Sequence, residues 1–239
     1  MTMRGVALGI GALLFLSGCA DGTPSGLGSL LPLGTRAEQP PLDLSTGKQD
    51  TLYLGIVDGL SKQGRYSAAL AFLDGYSGSG AETSSRYWLL RGNALLGLHR
   101  NKEAAGAFAE LRTTPLAAHG WNGLGRIAAD DKDWPSADAD FREAVHGEPT
   151  NADFLNNLAF ANLNLDRADS ATAWLQQAHE LAPGSERILT NLAIALTLKG
   201  DHARADTILL SIKDGAHREA VRTLVNNAVS ALTREGQPS

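Results

Sequence analysis

Histidines stand at positions 99, 119, 146, 179, 202 and 217. No two lie three or four residues apart, and none falls in a His/Glu or Cys/His spacing, so no zinc site is spelled out locally. Asp130, Asp131 and Asp133 crowd one short stretch. A calcium loop would alternate its acids and follow them with a glycine and a later Glu. Trp134-Pro135 follows instead, and the run reads as a turn between helices. Gly47-Lys48 has Leu42 where a phosphate loop needs its first glycine and Gln49 where it needs Ser or Thr. No Ser/His/Asp or Cys/His set has a local signature. The expectation is a chain with no catalytic residues, no metal and no cofactor.

Amides are the polar groups that recur. Asn157, Asn191 and Asn226 follow one another at nearly equal steps. Asn93, Asn122, Asn156 and Asn162 add to the set. A side-chain amide both donates and accepts, so it can satisfy a peptide unit without reading its side chain. Asn is a mediocre helix former, so its return at one register position asks for a reason. The candidate partner-binding face is Asn93, Asn122, Arg126, Asn156, Asn157, Asn191 and Asn226. The alternative is that each Asn is a tolerated polar residue on a wet helix face.

The elements that carry these residues repeat. Trp121, Leu124, Gly125, Trp134, Ala137, Phe141, Ala144 and Pro149 sit in one register. It returns as Leu158, Ala159, Ala171, Leu175, Ala178 and Pro183, and again as Leu192, Ala193, Gly200, Ala205 and Leu209. The step from Ala137 to Ala171 equals the step from Ala171 to Ala205. A fixed period of about 34 residues marks a solenoid, in which each unit lends its neighbour a face to bury. Upstream, Trp88, Gly92, Ala104 and Phe108 hold the same register, as do Tyr53, Gly64, Tyr66 and Ala69, with Val57 where a small residue is usual. Ala137, Phe141 and Ala144 make one apolar face of a helix. Pro135 suits a first helical turn, and Pro149 and Pro183 stop helices. Gly75, Gly78 and Gly80 with Ser77 and Ser79 read as a flexible connection.

These residues resemble the tetratricopeptide (TPR) family, over about residues 50–219. The resemblance implies an all-α solenoid of about five helix-turn-helix repeats, near 50–84, 85–118, 118–151, 152–185 and 186–219. Residues 216–234, with Ala220, Leu224, Ala228, Ala231 and Leu232 on one side, predict a capping helix. Small residues at 92, 125, 159 and 193 and alanines at 69, 104, 137, 171 and 205 are expected to let paired helices approach. Phe108, Phe141, Leu175 and Leu209 are expected to fill the space between adjacent pairs. In this family the first helix of each pair lines the working face, and in some members an asparagine ladder there holds an extended peptide. A terminal-carboxylate clamp would need Lys where Leu89 stands, so that mode is disfavoured.

The N-terminus carries a second pattern. Arg4 precedes an apolar run from Val6 to Leu16. That run is too short to span a bilayer comfortably and suits a signal-peptide core. Leu16-Ser17-Gly18-Cys19 follows. This resembles the lipobox of bacterial lipoproteins, and implies cleavage after residue 18 and lipidation of Cys19, the only cysteine of the chain. Ala20 rather than Asp follows Cys19, which in that family points to the outer membrane, facing the periplasm. Residues 19–48, with Pro24, Pro40 and Pro41, read as a flexible tether spanning on the order of 30 Å as a random coil.

Net charge is −5, with no basic cluster beyond Arg86/Arg91 and Arg218/Arg222, so a nucleic-acid partner is not expected. Lipobox, tether and repeats together are similar to the TPR lipoproteins of pilus and secretion machines. The stretches Arg187–Gly200 and Asn156–Ala161 carry that likeness. The resemblance implies a non-enzymatic scaffold with a protein partner, such as a secretin, and membrane contact through the lipid only. A periplasmic adaptor recruiting cell-wall enzymes is the alternative.

Overall fold

The computed structural model describes residues 46–76 and 84–235, all within one compact unit, Leu44–Ser239. The leader expected at 1–18, Cys19, most of the 19–48 tether and the Gly78–Gly80 connection lie outside the described residues. Every regular element among those described is an α-helix.

The helices form five consecutive pairs: α1 (Thr46–Lys62) with α2 (Tyr66–Asp74), α3 (Ser85–Gly97) with α4 (Asn101–Ala109), α5 (Ala117–Asp130) with α6 (Trp134–Gly147), α7 (Ala152–Asn164) with α8 (Ala168–Leu181), and α9 (Glu186–Leu198) with α10 (His202–Leu210). A last helix, α11 (Gly215–Glu235), follows and packs on α9 and α10. This is the expected all-α solenoid with its capping helix, but α11 buries Val221 and Val225, with Ala228 and Leu232 partly buried beside them, and leaves Ala220, Leu224 and Ala231 of the expected face exposed. Helix α1 starts inside the stretch read as tether. Its first turn, Thr46–Gln49, is polar, so the apolar periodicity that marks a helix begins only at Leu52 and Tyr53.

A three-residue turn joins the helices of every pair. Its middle residue is left-handed in all five: Gly64, His99, Lys132, Asp166 and Gly200 have φ between 57° and 77°. The next residue donates its N–H to a carbonyl in the last turn of the preceding helix. These bonds run from Arg65, Arg100, Asp133, Arg167 and Asp201 to Leu60, Leu95, Ala128, Asn162 and Leu196, at 2.8–2.9 Å. This is a Schellman stop, which satisfies carbonyls that a helix end leaves open. Asp133 accepts from Ser136 N–H and caps α6, with Pro135 in the first turn. The hydroxyl and N–H of Ser136 both donate to the Asp133 carboxyl and hold it below the usual carboxylate range. The acidic run at 130–133 is therefore a turn and a cap.

Inside each pair two positions recur at one spacing: Val57 and Leu73, Gly92 and Phe108, Gly125 and Phe141, Ala159 and Leu175, and Ala193 and Leu209. Apart from the glycines' missing side chains, all of these are buried apolar groups. A Cβ on Gly92 would lie 2.6 Å from the Phe108 ring, and one on Gly125 would lie 2.7 Å from Phe141. The empty Cβ space is thus filled by an aromatic ring of the same repeat. Phe108 also reaches the next repeat, since a Cβ on Gly123 would lie 2.5 Å from it. The buried side chains fall into two clusters, one from Leu54 to Leu111 and one from Ala118 to Val225. In the first repeats Tyr53, Tyr76 and Tyr87 stack in a run across α1–α3, and Trp88 meets Tyr87 edge to face. Tyr76 donates to Asp50, which with partial burial raises the phenol to about 12.

Candidate functional site

The first helices of successive pairs lie side by side. Along them runs an open groove of about 570 Å³. Helix α1 contributes Lys62, α3 contributes Leu89 and Asn93, and α5 contributes His119, Asn122 and Arg126. Helix α7 adds Asp153 and Asn157, and α9 adds Arg187. Residues four apart on one helix share a face, so Leu89 and Asn93, Asn122 and Arg126, and Asp153 and Asn157 each come from one stripe.

Amides in and beside this groove bond across repeats. Asn157 donates from Nδ2 to Asn122 Oδ1 at 2.8 Å, and Asn191 donates to Asn156 Oδ1 at 2.9 Å. Each bond spans one repeat and one further position, so the donor column and the acceptor column are adjacent positions of the register. Arg187 binds Asn157 Oδ1 at 3.1 Å and pairs with Asp153 at 2.5 Å. Arg126 donates to Asn93 Oδ1 at 3.4 Å. His119 contacts Glu148 at 3.3 Å and sets its ring edge on Phe154.

Arg126 forms no ion pair among the described residues, unlike Lys62, which holds Asp58 at 2.8 Å, and Arg187. Protein around the groove strips part of the hydration of its guanidinium and lowers its pKa. The carboxylate of Asp130 acts the other way, and Arg187 adds repulsion. Its side chain still opens to water, so that loss of hydration is partial.

Of the residues singled out from the sequence, Asn93, Asn122, Arg126 and Asn157 are brought together in the groove. Asn156 is 2 % exposed and serves as the acceptor for Asn191. It faces the packing rather than a ligand because it sits one position, about 100° of helix, from Asn157. Asn191 is half-buried beside it and is not part of the groove lining. Asn226 lines a separate depression of about 210 Å³ with Asp206 and Arg222, between α10 and α11. Helix α11 has no paired helix, so one more repeat-length step along the sequence does not carry the groove face onto it. Asn162 is fully buried and donates to Asp138, which also binds Arg142 and Arg167, a polar node inside the stack. Lys62, His119, Asp153 and Arg187 were missed. The repeat-length step from Asp153 to Arg187 would have found that pair.

No family profile matches the chain. A TPR repeat-containing protein of Pseudomonas aeruginosa is 30% identical over 164 residues, which make up 68% of this chain and 64% of that relative. The chain thus spans less than two thirds of that relative's length. Among solved structures, MamA from Desulfovibrio magneticus RS-1 superposes with a TM-score of 0.53 at 18% identity, covering 81% of this chain and 100% of that one. MamA AMB-1 does so with a TM-score of 0.52 at 19% identity, covering 70% and 93%. At those identities the structural likeness concerns the fold.

The fold is a helical-repeat solenoid of the kind the TPR pattern implies. Its groove lies where the first helices of successive pairs line up. What the groove offers is a row of amides and three cations, two of which already hold a carboxylate. Among the described residues no group of three or more His, Cys, Asp or Glu is placed to hold a metal, and no helix is long and apolar enough to cross a membrane.

Proposed function

We propose that this chain is a non-enzymatic protein-interaction scaffold that holds an extended segment of a partner along the groove. The observation that carries this reading is the lining itself: five parallel first helices present amides and cations, groups that bind peptide carbonyls and carboxylates without transforming them. The named relative is a TPR repeat protein, and the fold shared with the MamA structures is consistent with such a role.

More specifically, we propose an outer-membrane lipoprotein, anchored through Cys19 and facing the periplasm, that assists assembly or localisation of a pilus or secretion machine. The role is pilotin-like, with a secretin as partner. The support is the Leu16-Ser17-Gly18-Cys19 lipobox ahead of a TPR solenoid, a combination similar to the tight-adherence (Flp) pilus assembly protein TadD.

The test is the amount of heat- and detergent-resistant secretin multimer in outer membranes with the gene, without it, and with Cys19→Ser. Loss of multimer without the gene, restored by the wild type and not by Cys19→Ser, supports the reading. An unchanged multimer sinks the pilus role and brings forward the cell-wall adaptor. Turnover of a substrate by the purified protein alone would overturn the non-enzymatic part.

A further inference from the structure

The groove is not uniform, and its hydrogen-bond directions can be followed residue by residue. Arginine can only donate. Arg187 therefore fixes Asn157 with Oδ1 toward itself and Nδ2 toward Asn122. That in turn leaves Asn122 accepting through Oδ1, with its NH₂ turned away from Asn157. Arg126 fixes Asn93 in the same way, Oδ1 inward and NH₂ outward. Neither NH₂ has a bond to protein among the described residues. The centre of the groove, on α3 and α5, thus presents three groups that donate: the Arg126 guanidinium and the amides of Asn93 and Asn122. On α7 and α9 the equivalent capacity is already used: Asn157 donates to Asn122, Asn191 donates to Asn156, and Arg187 donates to Asn157 and Asp153.

A cluster that only donates is matched by a ligand that accepts. The chain as a whole carries −5, so an unpaired cation in its groove is a local departure from the general balance. The groove also continues on both sides of α5, to Lys62 and Leu89 in one direction and to Arg187 in the other. A segment lying in it runs past Arg126 instead of ending there.

We propose that the middle of the groove receives an internal Asp or Glu of an extended partner segment, with Arg126 as counter-ion and the Asn93 and Asn122 amides on flanking backbone carbonyls. This rests on the scaffold reading above and adds the chemistry of the partner. A forked guanidinium suits a carboxylate better than a lysine does, because two parallel N–H groups meet two oxygens.

The test is selection of binders from a random decapeptide library, acetylated and amidated at its ends, against the purified full-length protein and its Arg126→Gln variant. The wild type is expected to enrich one internal acidic position. Arg126→Gln is expected to lose that enrichment while keeping its melting temperature. Against one selected peptide, measured by fluorescence anisotropy, Arg126→Gln should weaken binding about tenfold or more, the scale of a charge-assisted bond. Arg126→Lys should fall between the two, and replacing the acid by its amide should equalise wild type and variant. Selected peptides without an acid, or an acid whose enrichment survives in Arg126→Gln, overturn the inference and leave the scaffold standing. Binding that appears only when the peptide end is a free carboxylate also overturns it, in favour of terminal capture. Failure to select any peptide removes both the inference and the groove-based scaffold.

Discussion

Repeats α3–α6 and repeats α7–α10 fill the same place in two ways. In the first region glycine faces phenylalanine, Gly92 with Phe108 and Gly125 with Phe141; in the second, buried alanine and leucine occupy the same two register positions, Ala159 and Leu175, then Ala193 and Leu209. Volume removed on one helix is returned on its partner. The same two regions differ in the groove. The first keeps open amides and an unpaired cation, while the second ties its amides and arginine to one another. The packing position thus holds its volume and is free in identity, whereas the groove position decides whether a repeat can still hold something else.

The strongest way to break the packing half of this comparison is to convert one solution into the other. Gly125→Ala alone should cost about 2 kcal/mol, because its new Cβ overlaps the Phe141 ring. Phe141→Leu alone should cost about 1.5 kcal/mol through the void it leaves. The double variant should recover most of both, since the two sites share one space. Urea denaturation of the three proteins gives the cycle, and simple addition would refute the exchange of volume.

A smaller effect should sharpen the groove half. Asn191→Ala leaves the buried Asn156 oxygen without its donor, which should cost about 1–2 kcal/mol. Asn93→Ala removes an amide with only a long bond to Arg126 and should leave the denaturation midpoint where it is. Equal losses would mean that the two regions do not differ in how their amides are used.

The smallest effect is a pH dependence where α11 meets α9, at the end of the second region. Glu186 accepts from His217 at 2.9 Å at the start of α11 and raises the imidazole above its ordinary 6.5. A raised value in the folded state stabilises it fully below about pH 6.5, and that contribution is lost as pH rises through the raised value. Between about pH 6 and about pH 8 the wild-type melting temperature should therefore fall slightly more than that of His217→Gln, as read by circular dichroism. Parallel curves would remove the contact as a factor.

Much of the stack was legible because its period is written in residue size. Glycine, alanine, phenylalanine and leucine return at fixed steps, and burial follows them. Three things were not legible. Helix α1 begins in polar residues that carry no apolar rhythm. The left-handed turn residues are glycine only at 64 and 200, so His99, Lys132 and Asp166 gave no signal of their shared conformation. The groove chemistry depends on which end of each amide faces which neighbour, and a sequence of Asn letters is silent on that. It showed where amides recur; it did not show that Asn156 and Asn191 would satisfy each other.

Phe108 is gripped by Gly92 of its own repeat and by Gly123 of the next. For anyone who wishes to transplant, delete or duplicate a unit of this chain, that ring sets the cutting rule. A cassette cut at the loops, 85–118, would leave with the ring and abandon half of its socket. The receiving junction would need a glycine at the position of residue 123, or a smaller side chain at 108. The interchangeable module here runs from one socket to the next, out of phase with the helix pairs that the eye would choose.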